Sequence, residues 1–211
     1  MKTTLISIFT LFIAFASSIN AQELEQRERL QFGIKAGLNL SNVWDSDNDD
    51  FRADSKAEFA GGVFVGIPIN RYIGLQPEIL LSQKGFKGSG TLLGTSYSFV
   101  RTTTYLDIPL QLQLKPAEFL TFVLGPQFSY LINQKDVYTF GSNSIEQEQE
   151  FENDNIRKNI LGFVGGFDLS HRNILFSARA GWDFQNNKGD GTSTTPRYKN
   201  QWLQFTLGIK I

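Results

Sequence analysis

The chain has 211 residues, with 20 Lys plus Arg against 21 Asp plus Glu, one His and no Cys. A net charge of −1 gives no basic footprint for nucleic acid. The lack of Cys rules out disulfides, thiolate metal sites and a Cys nucleophile, and a single His leaves one candidate imidazole base.

The first segment reads as an address. Met1-Lys2 is a positive start, residues 5–16 form an apolar run interrupted by Ser7 and Thr10, and residues 17–21 end in Ala21. That is the layout of a cleaved secretory signal peptide over residues 1–21, and the run is too short to span a bilayer as a helix. Residues 22–30 are expected as a short polar periplasmic extension, and residues 31–211 as one domain.

From residue 32 onward the period is two. Phe32, Ile34, Ala36, Leu38 and Leu40 alternate with Gly33, Lys35, Gly37 and Asn39. Phe59, Val63, Val65 and Ile67 oppose Glu58, Gly62 and Gly66, and Phe64 breaks the series. Ile73, Leu75, Ile79 and Leu81 oppose Gly74, Gln76, Glu78 and Ser82, with Leu80 out of step. Leu106, Ile108, Leu110, Leu112 and Leu114 oppose Asp107, Gln111 and Gln113. Leu120, Phe122, Leu124, Phe128 and Tyr130 form the next run, and Leu161, Phe163, Phe167 and Leu169 the one after. The last two carry Ile174 to Phe184 and Leu203 to Ile211 on alternate positions. Alternation of this kind marks strands with one apolar face, and there are eight of them.

Connections alternate in length too. Segments 68–72, 115–118 and 170–173 are short, whereas 41–57, 85–103, 132–159 and 185–199 are long. Both ends of an eight-stranded chain then fall on the short-turn side. The fold expected is all-β: a single eight-stranded antiparallel up-and-down transmembrane β-barrel, with short periplasmic turns and four long extracellular loops. The apolar face would meet lipid, and the Gly, Ser, Thr, Gln and charged face would fill the interior. A soluble lipocalin-like periplasmic binder is the alternative, with the apolar face turned inward around a ligand.

In the lipid-facing register, five bases and five acids share the interior: Lys35, Lys84, Arg101, Arg179 and Lys210 with Glu58, Glu78, Asp107, Asp168 and Asp183. A balanced set suits a mutually paired lumen network, because unpaired charge in a dry interior is costly. Tyr72, Tyr105, Phe119, Tyr130, Trp182 and Trp202 fall near strand ends and are expected in the aromatic girdles. Pro77, Pro109 and Pro126 lie inside three strands although each removes a ladder donor, which suggests bulges or offset strand limits.

Around these prolines the chain resembles a family. Phe32 to Ser41, Leu75-Gln76-Pro77-Glu78, Tyr105-Leu106-Asp107-Ile108-Pro109 and Gly125-Pro126-Gln127 are similar to strands of the PorT-like outer-membrane β-barrel proteins of Gram-negative bacteria. The resemblance implies an outer-membrane location over about residues 31–211, and its namesake is associated with protein secretion. Barrels of this kind often end in an aromatic residue, whereas this chain ends in Ile211.

Other chemistry is weakly represented. His171 lies in a short turn, away from the outer loops. Asp45 to Asp49 begins like a calcium loop but has Asp50 and Lys56 where Gly and Glu are required. Glu146, Glu148, Glu150, Glu152 and Asp154 alternate in the third long connection, as a solvated strand edge does. No enzyme chemistry, catalytic residue, metal site or cofactor is expected. The partners expected are outer-membrane lipid and envelope or secretion-system proteins, with no nucleic acid, and the sequence leaves a small-molecule ligand open. The functions in view are a structural role or partner binding through the long extracellular loops, linked to protein secretion, or, alternatively, a narrow channel for ions or small solutes. If the third loop is only a partner surface, deleting residues 133–155 should leave the barrel intact.

Overall fold

The computed structural model describes residues 26–44, 52–92, 95–140, 143–150, 156–189 and 198–211. The expected signal peptide, the calcium-like stretch 45–50, Glu152 and Asp154 lie outside these residues.

A 3-10 turn at Gln26–Glu28 precedes nine strands: β1 (Gln31–Trp44), β2 (Arg52–Pro68), β3 (Ile73–Leu92), β4 (Thr95–Leu114), β5 (Leu120–Phe140), β6 (Asn143–Glu150), β7 (Asn159–His171), β8 (Ile174–Asp183) and β9 (Lys199–Lys210). Every pairing is antiparallel between chain neighbours, apart from β9 with β1, which joins the two ends, and β5, which pairs both β6 and β7. The circuit β1-β2-β3-β4-β5-β7-β8-β9 therefore closes, giving a barrel of eight wall strands. The ninth strand, β6, continues above β7 along the far half of β5, from Asn133↔Glu150 to Phe140↔Asn143.

The period of two decides what faces where. Ile34, Leu38, Ile79, Leu110, Leu203 and Leu207 are exposed on the outside, while their neighbours Lys35, Asn39, Glu78, Gln111, Gln204 and Thr206 are buried inside. Leu207 is 63% exposed and Thr206 is 2% exposed, so one step along β9 moves from the outer surface to the core. An apolar exterior wrapped around a polar interior is the arrangement of a barrel in lipid. A lipocalin-like binder would have the reverse.

The two residues that break the alternation keep the strand parity. Phe64 and Leu80 both point inward and are buried. A side chain on Gly33 would collide with the Phe64 ring, so the ring occupies the space that this glycine leaves. Tyr105 and Trp202 also face inward, at 1% and 4% exposure, rather than joining a girdle. Their parity places them there, and each large ring finds a polar partner in the lumen. Trp182 and Tyr72 do sit on the outside.

The prolines fall neither at bulges nor at strand ends. The β2–β3 ladder runs Phe64↔Glu78 and resumes at Ile67↔Leu75, skipping the positions around Pro77 with no change of register. The β3–β4 ladder skips from Pro77↔Leu110 to Leu80↔Asp107 around Pro109, and β4–β5 skips from Pro109↔Gln127 to Leu112↔Leu124 around Pro126. Each proline breaks one ladder and stays paired on its other side. The missing N–H removes a rung toward one neighbour only, and the three gaps step diagonally across adjacent strands.

Two register shifts do occur. One lies in β2 between Ser55 and Ala60. The other lies where Thr104 pairs Asn133 but Tyr105 pairs Leu131, leaving Ile132 as an extra residue. A one-residue bulge flips every later side chain to the opposite face. Leu131 is buried, Ile132 is exposed, and Gln134 and Asp136 are buried again.

Two of the segments expected as loops are largely strand. β3 and β4 meet with only residues 93–94 between them, and β5 and β6 with only 141–142. β3, β4 and β5 have 20, 20 and 21 residues, about twice the ~10 residues needed to cross a membrane. β8 has 10, so the wall is tall on one side and low on the other. At the opposite end the turns are tight. Asn70 Oδ1 accepts the Tyr72 and Ile73 amides at 2.8 and 2.9 Å. Between β7 and β8 only Arg172 and Asn173 turn the chain, with Arg172 at φ 52°, shorter than the four residues expected. His171 ends β7 beside this turn.

Candidate functional site

Nine of the ten sequence-derived candidates lie in the barrel interior, and their geometry divides into layers. Nearest the short-turn end, Gln113 donates to Gln76, and Gln76 Nε2 donates to Glu78 Oε1 at 2.7 Å. Glu78 forms an ion pair with Lys35 at 2.6 Å and lies 3.9 Å from Arg179. Arg179 pairs with Asp168 at 2.7 Å and donates to the Phe167 carbonyl at 2.8 Å. Four charges, two of each sign, are thus contributed by β1, β3, β7 and β8 and tie together strands that are distant in sequence.

Above them Asn39 bridges the lumen: it donates to Ser82 at 2.8 Å and accepts from Gln204 at 3.0 Å. Lys84 pairs with Asp107 at 3.1 Å, and its ammonium stands 3.9 Å above the Trp202 ring and 4.9 Å above Tyr105. This explains the inward tryptophan: a buried cation gains from an aromatic face in addition to its carboxylate. Tyr105 donates to Asn187 at 3.0 Å, and Asp183 accepts from Asn200 at 2.6 Å.

At the long-connection end, Arg101 binds Asp136 through two bonds of 2.8 Å each and donates to the Tyr198 hydroxyl at 2.8 Å. Burial pushes the Tyr198 hydroxyl up, against the nearby Arg101 charge. Lys56 pairs with Glu58 and with Thr102. Val43, Phe86 and Phe99 close this level as an apolar cluster with Tyr198 packed on it. Phe86 meets Phe99 and Tyr198 edge-on at 5.8 and 5.2 Å.

The tenth candidate, Lys210, lies at the short-turn mouth with Arg27 and Lys115. Arg27, in the segment expected as a mere extension, donates to the Lys115 carbonyl, and Lys115 Nζ donates to the Arg27 carbonyl at 3.3 Å. Both are buried, so the 3-10 turn folds under the barrel. Burial, and then the charges of Arg27 and Lys210, lower Lys115 from 10.5 to about 8.

That shift has a sign. The folded barrel releases the Lys115 proton at lower pH than the unfolded chain does. Between about 8 and 10.5 the unfolded chain binds more protons, so stability should rise with pH across that window. Urea unfolding read below the tyrosine range near 10 should show a midpoint climbing with pH, and Arg27→Ala should flatten the climb. A midpoint independent of pH in wild type would contradict the cluster.

Sequence reasoning missed Asp136, Arg27, Lys115, Lys56 and Tyr198. Asp136 is reached only through the bulge at Ile132, and the others lie outside the alternating runs. A lone acid six residues beyond the alternating run that ends at Tyr130 was the available signal for Asp136. The arrangement can neutralise charge and lock strands together.

A family model described as Outer membrane protein beta-barrel domain matches residues 20–209. No curated protein matches significantly. Among solved structures, the attachment invasion locus protein Ail of Yersinia pestis is 13% identical, with 86% of this chain and 98% of that chain covered and a TM-score of 0.48. Neisserial surface protein A is 13% identical, with 87% and 100% covered and a TM-score of 0.47. OprG from Pseudomonas aeruginosa is 12% identical, with 86% and 94% covered and a TM-score of 0.34. With the closed barrel, its apolar exterior and a family match over nearly the whole length, the chain belongs to the outer membrane protein beta-barrel domain family.

Proposed function

We propose that this outer-membrane barrel is non-conducting and non-enzymatic, and that it acts by presenting its tall extracellular wall to partner proteins of the envelope. The filling of the lumen carries the reading. Paired charges, bridging amides and the Phe86–Phe99 cluster occupy successive levels from Arg27 to Val43. An eight-stranded barrel is about wide enough to be filled by its own side chains, and the levels from the Lys35–Glu78 pair to the Arg101–Asp136 pair carry both signs of charge, not the single-sign ring of an ion path.

The wall supplies the surface. The far halves of β3, β4 and β5, with β6 alongside, form a sheet that continues past the membrane-spanning length. The PorT-like resemblance favours secretion-system proteins as partners, and the exported location requires the leader expected over residues 1–21. Deleting 133–155 is no longer a clean test, because it would remove Asp136 from Arg101. Excising 143–150 spares that pair and the β4–β5 ladder.

In planar bilayers the purified protein should give no conductance steps. Regular steps altered by Asp107→Ala would replace this reading with a narrow channel. Excision of 143–150 should leave the heat-shifted gel band in place while lowering crosslinking to envelope proteins. Unchanged crosslinking would remove this hairpin from the partner surface.

A further inference from the structure

The filled interior does not explain one feature of the outer surface. Where β8 ends and β9 begins, a cavity of about 810 Å³ is lined by Leu40, Trp182, Phe184 and Leu203. All four are on the outward parity and 43–48% exposed. The volume lies in the ~300–1,000 Å³ range of small-molecule sites. Ala180 contributes only a methyl group here, beside the large rings of Trp182 and Phe184 at the next two outward positions. Phe163 packs against Trp182 at 5.4 Å and lies 6.5 Å from Phe184, which steadies two of the walls.

The same cavity reaches Lys199, the first residue of β9, at the end where the strands leave the apolar belt. A groove with apolar sides and a cation at its upper end matches an amphiphile whose charge lies at the membrane surface. Hydrocarbon is the medium that reaches outward-facing residues at this height, and aromatic rings mark the boundary between lipid and water. We propose that the groove seats an acyl chain of an outer-leaflet lipid, with the anionic headgroup of that lipid paired to Lys199.

The full chain can be reconstituted in phosphatidylcholine vesicles containing a minor fraction of phosphatidylglycerol, extracted in mild detergent and weighed by native mass spectrometry. Wild type should retain phosphatidylglycerol with roughly fivefold enrichment over the vesicle composition, the scale set by one basic residue near an anionic surface. Lys199→Gln should abolish the enrichment while lipid is still retained. Ala180→Leu should reduce retention of both lipids by filling the groove. No retained lipid in wild type, enrichment that survives Lys199→Gln, or retention unchanged in Ala180→Leu would each overturn the proposal. A heat-shifted gel band verifies that each variant is folded. Should Ala180→Leu fail that control, Phe184→Ala, beyond the last residue of β8, removes a groove wall instead and should lower retention equally.

Discussion

Glu78→Ala should cost the barrel about 3–5 kcal/mol, the penalty for leaving a buried charge without its partner. Glu78 meets Lys35 at 2.6 Å and Arg179 at 3.9 Å, and these side chains are at most 1% exposed. Removing the carboxylate leaves two cations and only Asp168 to balance them. Glu78→Gln should cost less, because Gln76 keeps a hydrogen-bond acceptor while the charge is lost. Replacing both members of the pair, Lys35→Met with Glu78→Leu, should recover most of the loss. It leaves Arg179 with Asp168 and exchanges a desolvated pair for apolar volume. Loss of the unheated gel band with increasing urea measures all three variants. A Glu78→Ala barrel as stable as wild type would show that water or other groups already solvate these cations.

Two adjacent glycines in β7 should respond in opposite ways. A Cβ on Gly166 would land on the Ala178 carbonyl oxygen and against the Arg179 backbone, well inside van der Waals contact. The obstacle is backbone in a closed ladder, so it cannot rotate aside as a side chain would. Gly166→Ala should cost about 3 kcal/mol or more, the upper end of overpacking penalties, and lower the yield of folded barrel. A Cβ on Gly165 would meet nothing closer than the Val123 carbonyl oxygen at 3.6 Å, which is ordinary contact. Gly165→Ala should be neutral or stabilise by up to about 1 kcal/mol, through the smaller freedom of the unfolded chain. Equal urea midpoints for the two variants would contradict the close approach of β7 and β8. The comparison isolates geometry, since both substitutions add the same methyl group one residue apart.

Neither effect could be assigned from the sequence, although both residues lie in a strand that the sequence marks clearly. Alternation along β7 places Gly166 and Asp168 inward, but it says nothing about how near β8 comes. Barrel closure and coiling decide that distance. The same division appears at the prolines: alternation carried the strands through Pro77, Pro109 and Pro126, yet only the ladders reveal that each breaks one neighbouring contact and keeps the other.

What the sequence determined by itself is the period of two, the alternation of short and long connections, and the polar character of one face. Those follow from local geometry, because successive strand residues point to opposite sides whatever the neighbours are. They were enough to specify eight wall strands and to assign ten charged residues to the inward-facing positions. The tertiary structure alone decided which acid meets which base, that Trp202 and Tyr105 support Lys84, and that Asp136 reaches Arg101. It also decided that Arg27 folds under the mouth and that β3, β4 and β5 rise beyond the membrane. Those outcomes depend on register between distant strands and on a single extra residue at Ile132, and a one-residue shift reverses every side chain beyond it.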